Sequence, residues 1–159
     1  KENSLGFSEM DLAKFQSLTG KAVLLIYLQL ILGAVVRHTN QWVHVHMTFA
    51  AVVTGTVLVV FLKSRKQFIQ VPRLHSLARL MVIFLVCQLL LGVGSWLALP
   101  DVGYFTESSR FYFLLPTMHQ ALGALILVAM VFLTTRARRL QVIQTKSAPA
   151  MAMAAGGQA

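Results

Sequence analysis

The sequence predicts an all-α integral membrane protein, a four-transmembrane-helix bundle made of two parallel two-helix repeats. Three observations predict it: a composition that a soluble globule cannot accommodate, four apolar stretches of membrane-crossing length, and a weak internal duplication. Hydrophobic residues make up 57% of the 159 and charged residues only 12%, with a mean hydropathy of +0.70. An ordinary soluble domain is about one-quarter charged, and a chain this short cannot bury so much apolar surface in its own interior. The formal net charge of +9 is not a nucleic-acid stripe, because the bases fall between the apolar runs and carry topology information instead. No nucleic-acid partner is expected; membrane lipid is.

Residues 1–20 are of mixed polarity and are expected to form a cytoplasmic or interfacial segment without an evident cleavable signal peptide. A chain that starts at Lys1 rather than Met reads as a processed product or a fragment. The membrane bundle is assigned to 21–140, with apolar stretches at 22–36, 43–62, 77–99 and 111–134. About 20 residues cross a hydrocarbon core. The last three stretches suffice, and the first does so if Arg37 and His38 lie at the interface. Residues 141–159 end in a low-complexity run from Ser147, expected to be a disordered cytoplasmic tail. The single cysteine, Cys87, can form no disulfide within the chain and reads as a small buried apolar residue.

Lys and Arg are strongly segregated. Lys1, Lys14 and Lys21 precede the first helix; Lys63, Arg65, Lys66, Arg73 and Arg79 fill the second connection; Arg136, Arg138, Arg139 and Lys146 follow the fourth helix. Only Arg37 and Arg110 remain for the other side. The positive-inside rule then places both termini and the middle connection in the cytoplasm, in a cell (inner) membrane.

The duplication pairs Gln29-Leu30-Ile31-Leu32-Gly33 in the first helix with Gln88-Leu89-Leu90-Leu91-Gly92 in the third. It also pairs His46 and Ala50 in the second with His119 and Gly123 in the fourth. Chance resemblance among Leu- and Gly-rich helices competes with this reading, but two matched polar positions favour duplication. Both halves enter from one side, so the repeats are parallel.

Of five histidines, His75 falls among bases in the middle connection and reads as a solvated loop residue, while His38 and His44 flank the short outer loop. His119 lies inside the fourth helix and His46 near the outer end of the second. An ionisable group at membrane depth is a functional-site hypothesis by default. Two imidazoles facing each other across a bundle axis are what six-coordinate heme iron needs. The site is therefore assigned to His46 and His119 as iron ligands near the outer face. Ala50 and Gly123 leave room for a flat macrocycle, and Gln29 and Gln88 share faces with Gly33 and Gly92. Arg37 is a candidate partner for a heme propionate. Small residues that merely let helices approach explain the glycines equally well, and snorkelling explains Arg37 about as well, but neither explains the histidines. Without a carboxylate or thiolate at that depth, the pair is a poor zinc or di-metal set.

The runs LQLILGAVVRHTN (28–40), HMTFA (46–50), CQLLLGVGSW (87–96) and TMHQALGALIL (117–127) together resemble the heme A synthase family of respiratory-oxidase assembly, over all four helices. The resemblance implies a four-helix bundle with heme-binding histidines on its second and fourth helices, matched here by His46 and His119, and a heme b cofactor. Many members carry two bundles, one holding heme b and the other oxidising heme O to heme A. This chain looks most like the C-terminal, cofactor-holding half. The glutamate that precedes the helix-two histidine in the family's catalytic bundle is replaced by Gln41-Trp42-Val43-His44-Val45, and the outer-loop cysteine pair of some members is absent. Three readings stay open: half of a longer enzyme, a single bundle that self-associates, or a bundle that has lost the activity. Expected partners are heme O or heme A and a second bundle or other subunits. A non-catalytic b-type cytochrome, or a structural subunit of a respiratory complex, is the alternative.

Overall fold

The computed structural model describes residues 9–68, 70–99, 102, 104–105 and 109–156. The described residues form four helices and no strand: α1 (Glu9–Thr39), α2 (Val43–Gln67), α3 (Pro72–Leu97) and α4 (Arg110–Gly156). Each is long and apolar enough to cross a membrane. Pro72 opens α3, where its missing N–H costs nothing and its fixed φ suits the first turn. The α1–α2 connection is tight. Asn40, at φ 54°, returns its main-chain N–H to the Val36 carbonyl at 2.9 Å, an ordinary left-handed helix ending. Trp42 is also left-handed, at φ 66°, which is uncommon for a bulky residue.

Helices adjacent in sequence touch, and α4 closes the ring against α1, while among the described residues the backbones of the diagonal pairs α1/α3 and α2/α4 stay apart. The bundle has two unlike halves. Toward the end that carries the α2–α3 turn, apolar side chains from all four helices fill the axis: Phe15 and Ile26, Val57 and Val60, Met81 and Leu85, Met130 and Leu133 are buried. Phe15 meets Phe68 of that turn at 4.8 Å between ring centroids, and Gln16 Nε2 donates to the Ala137 carbonyl at 3.0 Å. The buried hydroxyls of Thr19 and Thr134 donate to carbonyls of their own helices. Toward the other end the axis is hollow. Large apolar residues such as Leu24, Tyr27, Ile83, Leu90 and Phe132 instead face outward along the whole bundle.

Several expectations change. α1 begins at Glu9 and buries Leu12, Phe15 and Thr19, so the second half of the expected interfacial segment is part of the packed bundle; residues 1–8 lie outside the described residues. The α2–α3 connection is only the turn after Gln67 and before Pro72, and its five bases lie on the helix ends themselves. His75 is accordingly no loop residue. It sits in the first turns of α3, half-buried, with its ring stacked on Phe61 of α2 at 6.3 Å. Cys87 faces outward from α3 rather than into a core. α4 runs as helix to Gly156, through the run expected to be disordered; Ala and Met, which fill that run, are good helix formers. Residues 157–159 lie outside the described residues.

Candidate functional site

The hollow half contains a cavity of about 650 Å³, within the range of about 300–1,000 Å³ typical of small-molecule and cofactor pockets. All seven residues singled out in the sequence line it: Gln29, Arg37, His46, Ala50, Gln88, His119 and Gly123.

Each helix contributes a polar group at this level, in the order Gln29, His46, Gln88, His119 around the ring, and Gln120 beside His119 also lines the wall. The histidines come from one diagonal pair of helices, and Gln29 and Gln88 from the other. His46 is in the first turn of α2 and His119 in the third of α4, yet their rings lie together, with centroids 6.3 Å apart and planes at 78°. α4 achieves this by extending further toward the open end.

Each histidine is braced by the helix that precedes its own. Gln29 Nε2 donates to the His46 main-chain carbonyl at 3.1 Å and stands 3.1 Å from Nδ1 and 3.3 Å from Nε2 of the ring. On the other side, His119 Nδ1 lies 3.1 Å from the Gln88 main-chain oxygen. A carbonyl oxygen only accepts, so Nδ1 carries the proton and Nε2 holds a lone pair, to which Gln88 Nε2 donates at 3.4 Å. The Oε1 atoms of both glutamines are buried with no hydrogen-bond partner. Orphaned buried acceptors are costly, typically about 1–3 kcal/mol each.

Gly33 and Gly92 were set beside the glutamines in sequence but have a more direct role. A Cβ on Gly33 would stand 3.1 Å from His46 Cε1, and one on Gly92 would stand 3.1 Å from His119 Cε1. The Cε1 corner of each ring therefore approaches helix backbone that glycine leaves bare. The four-residue spacing of Gln29 and Gly33, and of Gln88 and Gly92, is the signal: it places both on one helix face.

Gly123 is a correction of a different kind. A Cβ there would come within 2.9 Å of Leu30 Cδ2 and 3.2 Å of Gln88 Nε2, so the room it provides is already taken by those side chains. Its part is close helix approach. Ala50 lines the cavity. Arg37 and His38, both exposed, sit at the cavity margin with Asn40. The aromatic rim of Trp96, Tyr112 and Phe113 was not singled out in sequence, where aromatics at helix ends read as ordinary interfacial residues. His44 points the other way, into a shallow groove on the outer surface of α2 with Thr48 and Phe49. Its position two residues from His46 on a helix requires this.

Chemically the site is two imidazoles, each met by a glutamine amide, at the head of a largely apolar chamber. Among the described residues, no group of three or more His, Cys, Asp or Glu is placed to hold a metal ion, and no carboxylate lines the chamber. No known family model, curated protein or solved structure matches the chain.

Proposed function

We propose that this chain is a multi-pass membrane protein that binds heme b between His46 and His119. We read it as similar to heme A synthases and as taking part in the oxidation of heme O to heme A for respiratory-oxidase assembly. The observation that carries the heme is the paired imidazoles across the axis, 6.3 Å between centroids. Two imidazoles on one ion, each nitrogen about 2 Å from it, put their ring centroids roughly 6 Å apart. The residues fit the group in three further respects. The chamber has cofactor size. Gly33 and Gly92 form cradles that a Cβ would fill. The glutamine Oε1 atoms are buried acceptors in reach of the ligand histidines' surroundings, as the outer-shell partners of metal-bound histidines commonly are.

In this reading His46 and His119 hold the iron, and Arg37 at the margin offers a guanidinium to a propionate. The apolar walls exclude water. Bound heme would supply the reversible one-electron chemistry of its iron, tuned by axial ligands and burial. The outward apolar surface supports residence in lipid. The gathering of Lys14, Lys63, Arg65, Arg73, Arg136 and Arg139 at the packed end supports a cytoplasmic packed end with the heme near the outer face, both termini being cytoplasmic. A Gln–Gly helix set against a His helix in both halves, with the same 3.1 Å approach of histidine Cε1 to the glycine position, supports the parallel two-helix repeat.

A second reading, a non-catalytic b-type cytochrome or respiratory-complex subunit, is favoured by one observation: no carboxylate lines the described cavity wall, so the chamber itself offers no acid or base for oxidation chemistry. Expression of the chain with a heme O source, followed by acid extraction, decides between them. Accumulation of heme A supports the synthase reading, alone or with a second bundle. Unchanged heme O with tightly held heme b supports the carrier. A chain that takes up no heme is the structural subunit.

A further inference from the structure

The two histidines do not meet their neighbours in the same way. We infer that they are unequal ligands: His119 anchors the bound group, and His46 is the exchangeable partner, so that one coordination position can open on the α2 side. The inference rests on the heme reading above and assigns an order within that site.

Two independent observations carry it. The first is the hydrogen bonding. A metal-bound imidazole donates its other ring N–H to an outer acceptor, which fixes the tautomer. His119 already has this arrangement. Its Nδ1 faces the Gln88 main-chain carbonyl at 3.1 Å, an acceptor held in place by α3, and Nε2 is left as the lone pair. His46 lacks it. The group beside both its Nδ1, at 3.1 Å, and its Nε2, at 3.3 Å, is the Gln29 amide nitrogen, and that end of the amide is a donor because it also faces the His46 carbonyl. Neither ring nitrogen of His46 therefore has an acceptor to hold its proton. To gain the support that His119 has, His46 needs Gln29 to turn its amide and present Oε1, the buried acceptor that has no partner.

The second observation is position. His119 stands in the third turn of α4, with helix on both sides. His46 is the fourth residue of α2, and its main-chain N–H bonds only as far back as Trp42. Trp42 is the N-cap, is left-handed, and makes no side-chain capping bond. An uncapped first turn entered through an unfavourable backbone conformation opens more easily than a mid-helix turn. Helix end and hydrogen bond thus weaken the same ligand.

The test uses the full-length chain in detergent, with carbon monoxide as probe on the dithionite-reduced protein. The unaltered chain should take up carbon monoxide with loss of one imidazole. The spectrum of that adduct should match the adduct of His46→Gly, because both keep His119 opposite the gas, and should differ from that of His119→Gly. In parallel, heme affinity should fall at least about tenfold further in His119→Gly than in His46→Gly, on the scale of about 10–100-fold by which ligand support alters metal affinity. Added imidazole should restore the low-spin spectrum of His46→Gly, which shows that this variant is folded. An unaltered adduct that matches His119→Gly, no uptake of carbon monoxide by the unaltered heme-loaded chain, or equal loss of heme in the two variants would overturn the inference and leave the heme reading standing. Failure of the unaltered chain to bind heme would overturn both.

Discussion

His46 and His119 share a level because two helices of different reach deliver them there, and each is held by a glutamine and a glycine from the helix before. Removal of either ligand is therefore expected to abolish the low-spin heme spectrum. His75→Ala should leave it intact, since His75 is stacked on Phe61 at the opposite end of the bundle. His44→Ala should also leave it intact, since His44 faces the outer groove; absorption of the four purified variants checks this, and loss of heme at His44 with retention at His46 would contradict the assignment. Gly33 and Gly92 make a finer test. An alanine at either puts a carbon 3.1 Å from an imidazole carbon, tighter than ordinary contact, and the ring has to move. Gly33→Ala and Gly92→Ala should each weaken heme binding about 10–100-fold, read by heme titration of the apoprotein. That His46 and His119 belong together was legible in sequence because ionisable groups within apolar helices stand out, and Gln29 and Gln88 because they recur at equivalent points. The orphaned Oε1 atoms and the unlike bracing of the two rings were not, since they depend on which atom of an amide meets which atom of a ring.

At the scale of the helices, the bundle is divided between a packed half and a hollow half, and mutations should report which half they touch. Phe15 is fully buried against Phe68, so Phe15→Ala should cost about 3–5 kcal/mol of stability, seen as a lower unfolding midpoint in detergent. Gly55 has nothing within 4 Å of where its Cβ would be and lies within α2. Gly55→Ala should stabilise by about 0.5–1 kcal/mol, and an unchanged or lower midpoint would show that this face of α2 is occupied. The same substitution thus has opposite expected effects at Gly33 and Gly55, for reasons of space alone. The helices themselves were visible as apolar stretches, but their ends were not. Lys, Arg and Gln continue a helix readily, so polar residues that read as connection, from Lys63 to Gln67 for example, are helix in the structure. Likewise Leu12, Phe15 and Thr19 share one helical face, a periodicity hidden by the polar residues between them.

For the whole molecule, the physical problem is an apolar exterior around a largely apolar chamber that holds a ring of polar groups. The proposed lipid surroundings would meet the first part, and the proposed heme, held between the two imidazoles, would fill the hollow half. Four helices long and apolar enough to cross a membrane are legible as apolar stretches. The division into packed and hollow halves could not be read from the sequence, because apolar residues run along both halves and only packing separates them. The measurement that tests the central claim most directly is the absorption spectrum of the detergent-purified chain, oxidised and then reduced with dithionite, with extraction to identify the bound heme. Sharp low-spin b-type bands, with heme b in the extract, are the expected result. A chain expressed with ample heme that purifies without it, folded and monodisperse, would contradict the account.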